Sequence, residues 1–219
     1  MQTLIKNPSL ASENPPRNSI ILEGISWSTF KIIMEEVGEN RSWRITYDQG
    51  VLEIRMPHSE HEEPKEIIGD FITVLVNELD IEMRKLGALT LDNEELDRAI
   101  EPDSCFYIQS ESQIRGIKSV KLSTCPPPDL VIESDHTNSS LNKLDIYASL
   151  GVPEIWRYRN QKLEVYQLQN GQYEPSDRSL AFPFLPITEI PDFIEQSLTI
   201  GQRTTVKLFR NRIREILNN

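Results

Sequence analysis

Apolar residues recur along this chain with two different periods, and the switches between them mark out its elements. Phe30, Ile33, Met34 and Val37 fall at helical spacing, which predicts a helix over Trp27–Glu39 capped by Ser26 and stopped near Gly38. Trp43–Tyr47 and Val51–Met56 read as two strands around the turn Asp48-Gln49-Gly50, hence a hairpin. Ile68, Phe71, Ile72, Leu75 and Leu79 then supply the buried stripe of a long helix from about Ser59 to Leu86, ended by Gly87. Its first turn holds a Ser59/Glu62 capping box and Pro64, which is tolerable only there.

Two short apolar runs, Cys105–Ile108 and Leu130–Ile132, follow the corners Glu101-Pro102-Asp103 and Pro126-Pro127-Pro128-Asp129 and read as central strands. A helix over Ser140–Leu150 comes next, closed by Gly151-Val152-Pro153. Glu154–Tyr158 and Leu163–Leu168 make a second hairpin across Arg159-Asn160-Gln161, and the tail carries helices near Thr188–Leu198 and Arg203–Leu217. The succession predicts an α/β or mixed α+β fold, a central sheet flanked by helices. Residues 21–219 are expected to form one domain behind a polar, proline-bearing leader over residues 1–20.

Composition changes this picture little. At 219 residues and 38% hydrophobic content the chain is long enough and apolar enough to bury a core. No apolar run approaches the roughly 20 residues of a membrane span, so no membrane partner is expected. Cys105 and Cys125 form no CxxC pair and histidines are few, which argues against a structural zinc site. Both cysteines are expected to be buried in a reducing, cytoplasmic setting.

Charge matters more. A net charge of −11 disfavours indiscriminate attraction to phosphates. The charge is uneven, however. Thirteen acidic residues face four basic ones between Ser59 and Glu101, whereas Arg203, Lys207, Arg210, Arg212 and Arg214 face only Glu215 in the tail. Arg203, Lys207, Arg210 and Arg214 share one helical stripe, either a solvated face or a track for nucleic-acid phosphates.

The candidate chemistry lies around Asp129-Leu130-Val131-Ile132-Glu133 and the helix behind it. Asp129, Val131 and Glu133 point to one side of their strand. On the following helix Asn142, Asp145 and Ser149 form the polar arc, yet Lys143 falls between Leu150 and Tyr147 on the apolar side. A lysine placed there must snorkel out or meet a carboxylate, and Glu133 is near enough in sequence to be its partner. If the Asp103 strand lies beside that of Glu133, the two carboxylates converge on one hard cation, a typical magnesium arrangement. Asp129 substitutes for one of them if the register differs. Simpler roles stay open: Asp103 and Asp129 as turn residues after proline, Glu133–Lys143 as a structural ion pair, His61 as a core or capping histidine.

Several stretches together resemble the Uma family of bacterial endonucleases, whose fold belongs to the PD-(D/E)XK, restriction-endonuclease-like superfamily. They are Leu52–Glu62, Glu101-Pro102-Asp103 with Tyr107-Ile108, Pro127–Glu133, and Asn142–Tyr158 with its Gly-Val-Pro-Glu-x-Trp run. The resemblance implies a DNA endonuclease in which Asp103 and Glu133 hold Mg²⁺ or Mn²⁺ and Lys143 acts on the attacked phosphate or its water. It also implies supporting places for Asp129, His61 and Glu62. Asp135, not lysine, stands two residues after Glu133, and Lys143 on the next helix matches the relocated lysine of some superfamily members. The alternative is a module that keeps this fold and binds or regulates without turnover. A homodimer, joined through an edge strand or the tail helix, would suit two-fold DNA sites.

Overall fold

A computed structural model of the protein describes residues 19–38, 41–56, 59–134, 139 and 141–218, with the side chains of residues 59–62 excepted. β1 (Ser19–Glu23), α1 (Trp27–Val37), β2 (Arg44–Asp48) and β3 (Val51–Arg55) lead into the long helix α2 (Ser59–Leu79). β4 (Arg84–Gly87), β5 (Leu91–Asn93), β6 (Arg98–Ile100), β7 (Ser104–Tyr107), the one-turn α3 (Glu111–Ile114) and β8 (Leu130–Ser134) follow. Then come α4 (Lys143–Ser149), β9 (Glu154–Arg159), β10 (Lys162–Gln169), β11 (Gln172–Ser176), α5 (Ile190–Ile200) and α6 (Gln202–Leu217).

The strands form two sheets, ordered β1-β3-β2-β6-β5 and β11-β10-β9-β8-β7-β4. Among the described pairings only β8 with β9 is parallel, and α4 supplies the crossover that a parallel pair requires. The mixed sheet flanked by helices that the sequence pattern predicts is therefore present. Hairpin turns follow the sequence closely. Gln49-Gly50, Asn160-Gln161 and Asn170-Gly171 all have positive φ at both positions, the twist that matches tight hairpins.

Packing explains the continuous apolar run of β8. Leu130 and Ile132 join a core with Phe71 and Ile72 of α2 and Phe209 and Ile213 of α6. Val131 faces the other way, toward Ile146 and Tyr147 of α4, Leu150 just after it, and Val51, Leu91 and Ile100 of the first sheet. A strand covered on both faces has no solvent side to fill with polar residues. The far face of the first sheet packs under α1, where the Phe30 and Tyr47 rings stack at 4.7 Å. Among the described residues no helix is long and apolar enough to cross a membrane.

Three expectations change. The long helix stops at Leu79, not Leu86, and Arg84–Gly87 is the strand β4. Asp80 takes a left-handed φ of 54°, and Ile81 N donates to Val76 O at 3.0 Å, closing the helix by a Schellman motif. Aspartate tolerates that conformation, so no glycine announced the end. The helix expected over Ser140–Leu150 begins only at Lys143. Finally, Ser19 and Ile20, assigned to the leader, already pair with Arg55 and Ile54 as the start of β1.

Candidate active site

The register of β7 and β8 decides which carboxylates meet. Ser104 pairs with Ile132 and Cys105 with Val131, so Asp103 stands one step further along, opposite Glu133 and on the same face. Pro102 carries the chain from one sheet to the other. On its near side Glu101 belongs to the first sheet, where it accepts from Arg41, from Thr90 Oγ1 at 2.6 Å and from Ile45 N at 3.2 Å. On its far side Asp103 faces the site.

Each carboxylate of the pair is held twice among the described residues. Asp103 Oδ2 accepts from Ser134 N at 2.8 Å, and Oδ1 accepts from the Arg55 guanidinium at 3.1 Å. Glu133 Oε2 accepts from Lys143 Nζ at 2.7 Å, and Oε1 accepts from the Tyr147 hydroxyl. The Glu133 side chain is only 4% exposed and that of Lys143 13%, so the lysine is inward-facing, as its place on the helix predicts. Burying such charges costs several kcal/mol per ion, about as much as the pairing returns, unless further hydrogen bonds satisfy the remaining lone pairs. Ser134 N and Tyr147 are those further donors. Burial first, then the neighbouring Glu133 and Asp103 charges, push the Tyr147 phenol well above its ordinary range, so it stays protonated and donates.

The first sheet closes the site, which the sequence pattern did not anticipate. Val51, Glu53 and Arg55 lie on the face of β3 turned toward the second sheet, while Leu52 and Ile54 face α1. Glu53 is 1% exposed and accepts from Ser139 Oγ, which in turn accepts from Leu141 N at 3.2 Å just ahead of α4. Alternating charge on a strand ordinarily marks its solvent side. The one available signal was that Val51, on the same face, is apolar.

The other sequence candidates lie elsewhere. Asp129 sits four residues before Glu133, roughly 13 Å along the strand. Its Oδ2 accepts from Ile108 N at 2.6 Å, Ser110 N at 3.0 Å and Ser110 Oγ at 2.8 Å, which fixes the turn after β7. His61 and Glu62 fall in the first turn of α2, and their side chains lie outside the described residues. Asp135 lies outside them too. Arg203, Lys207, Arg210 and Arg214 ride on α6, whose buried side packs against α2 and α5 on the Leu130/Ile132 side of the central sheet, opposite the carboxylates. Arg214 and Arg210 both reach Glu78, at 2.7 and 3.4 Å, and the hydrogen bond from Arg214 holds that carboxyl below its ordinary range.

Two juxtaposed carboxylates suit a hard cation such as Mg²⁺ or Mn²⁺, which keeps several waters and shares its sphere with substrate phosphate. Among the described residues no three His, Cys, Asp or Glu side chains converge to form a cage made by protein alone. Arg55 and Lys143 each engage one of the two acids, so a metal here would compete with them and is best suited to arrive with a phosphate that takes up those cations. Both cysteines are buried and free, and burial pushes the Cys105 thiol up to about 12, which excludes it as a nucleophile near neutral pH.

The Gly-Val-Pro-Glu-x-Trp run serves the fold. Gly151 has a φ of 75°, open to glycine at no steric cost. Glu154 is fully buried on the α2 side of the sheet and accepts from Trp156 Nε1 at 2.8 Å, Ala181 N at 2.9 Å and Leu180 N at 3.1 Å.

No curated protein matches the chain. Among solved structures, one described as a "putative nuclease belonging to DUF820 from Anabaena variabilis" is similar at 17% identity and a TM-score of 0.44, over 74% of this chain and 90% of that one. The profile of the Uma2 family, described as "Putative restriction endonuclease", matches residues 27–201. That span includes β3, both carboxylate strands, α4 and the Glu154 clamp, and the chain belongs to the Uma2 family.

Proposed function

We propose that the chain is a divalent-metal-dependent endonuclease that hydrolyses DNA phosphodiester bonds. The observation that carries this reading is the in-register pair Asp103 and Glu133 with Lys143 on the second of them. Family membership supports it independently. Asp103 and Glu133 would hold Mg²⁺ or Mn²⁺. When bound, such an ion polarises a phosphoryl oxygen and acidifies a water. Lys143, whose side chain keeps 13% of its surface exposed, would stabilise charge on the attacked phosphate. Arg55 brings a second cation to the same site from the first sheet. Because a cation already engages each of these two acids, the protein alone should bind Mg²⁺ weakly, and added DNA should strengthen the binding.

The test is cleavage of duplex DNA by the purified chain with Mg²⁺ or Mn²⁺, compared with chelator and with Asp103→Asn. Metal-dependent cutting that the substitution removes is expected. A chain that binds DNA yet never cuts it would instead be the non-catalytic module, a reading favoured by the cations that already engage both acids.

Because α6 faces away from the carboxylates, its stripe is expected to serve the fold more than the substrate. Replacing Arg203 and Lys207 together by serine should leave the salt dependence of DNA binding unchanged. If both contact phosphates, the log–log slope falls by about 2. The reading extends to a homodimer, since two-fold sites on duplex DNA are matched by two-fold proteins. Sedimentation with and without DNA checks it.

A further inference from the structure

Tyr147 lies one helical turn beyond Lys143, so both side chains leave α4 on the same side. They meet one carboxylate, Lys143 on Oε2 and Tyr147 on Oε1 of Glu133. They differ in access. Lys143 keeps some exposed surface, whereas Tyr147 is fully buried in a cluster with Val131, Ile146, Leu150 and Val152. A side chain with no exposed surface touches neither DNA nor bulk water, so whatever it does for the site it does through Glu133.

Asp103 shows the same construction. The Ser134 amide, fixed in β8, takes one oxygen, and the long, flexible Arg55 takes the other. Within the described residues each carboxylate thus has one neutral donor built rigidly into the fold and one cation on a long stem. A cation on a flexible stem follows its partner and leaves the carboxylate plane loosely defined. A rigid donor on the second oxygen defines it. At Asp103 that donor is backbone, and at Glu133 it is a phenol whose ring the core packs tightly.

We propose that Tyr147 is a positioning residue: its hydroxyl fixes the orientation of the Glu133 carboxylate and so keeps the site assembled. The kinetic consequence rests on the nuclease reading above; the structural consequence does not. Tyr147→Phe is the test, because it removes one oxygen and keeps the ring in its core. Expected are a fall in kcat for duplex DNA of about 10- to 100-fold, the usual range for a group supporting a ligand, with KM unchanged. Calorimetry with Mn²⁺ alone should show affinity weakened several-fold, and a crystal structure of the variant should show Glu133 rotated away from its wild-type position. Ile146→Val loosens the same core and, being a change between apolar side chains, removes no hydrogen bond to Glu133, so it should change none of the three.

A Glu133 side chain unmoved in Tyr147→Phe, or kcat and Mn²⁺ affinity both unchanged, overturns the proposal. So does an equal loss in Ile146→Val, which would make the effect one of helix stability. If the wild-type chain fails to cut DNA, the nuclease reading falls. The crystal structure of the variant still decides the role of Tyr147.

Discussion

Replacing Asp103 by alanine is expected to lower metal-dependent cleavage by about a thousandfold or more, the scale seen when a group that stabilises the transition state is removed. Asp103 is the acid whose loss leaves the rest of the site most nearly intact. Its two described partners are a backbone amide in a strand end and a guanidinium that can turn toward solvent. The fold should therefore survive, at a cost of about 2 kcal/mol for the donors left unpaired. DNA binding should persist or tighten, because a negative charge has gone from beside the phosphates. A lost metal isotherm with retained DNA binding would place the defect in the metal step. Asp129→Asn is the contrasting substitution. Its oxygen holds a turn far from Glu133, and asparagine can still accept those hydrogen bonds, so cleavage should stay within a few-fold of wild type. Activity retained in Asp103→Ala, or lost in Asp129→Asn with the fold intact, would show that the wrong carboxylate had been assigned.

Glu154→Ala should be strongly destabilising without changing the chemistry. It strips the acceptor from Trp156 Nε1 and from the Leu180 and Ala181 amides in a place with no exposed surface. Buried donors left unmatched cost about 1–3 kcal/mol each, so a loss of about 4 kcal/mol is expected, partly relieved by water. In a chain of this size that lowers Tm by roughly 10 °C. The deficit should also depend on pH in an unusual direction. Burial, opposed only in part by the donated hydrogen bonds, raises the Glu154 carboxyl above its ordinary value. A group raised on folding contributes its full stability below the unfolded value and loses it as pH rises through the folded one. The gap between wild type and Glu154→Ala should therefore be widest in mild acid and narrow toward neutral pH. Urea melts at several pH values check this. A gap that widens with pH would mean that the charged carboxylate, held by its donors, is the stable form.

The two substitutions also separate the functions of two segments within the family match. Asp103 and Glu133 sit at one end of the paired strands, with Lys143 and Tyr147 above them. Glu154 lies at the other end, opposite Leu130, on the other face of the sheet. The Gly-Val-Pro-Glu-x-Trp run is thus a marker of the fold, and its presence in a chain says little about whether that chain cuts DNA.

Much of this arrangement was readable from local pattern. Period-two alternation located β2, β3, β9 and β10, and their turns carry the residues that accept positive φ. The helical wheel placed Lys143 on the wrong side for a solvated lysine, and it meets Glu133. These features depend on residues a few positions apart, whose relative directions the backbone geometry sets. Tertiary structure decided the rest. Strand spacing already set Asp129 roughly 13 Å from Glu133, but only the β7–β8 register brings Asp103 opposite it. Only the packing of one sheet against the other turns the charged face of β3 inward, so that Arg55 and Glu53 join a site assembled more than forty residues further on. The basic stripe of α6 is plain in the sequence, but that Glu78 on α2 engages two of its members is a matter of helix packing. A pattern of polar and apolar residues records which side of an element differs from the other. What covers that side is set by contacts between distant segments, and a charge becomes a site or a surface accordingly.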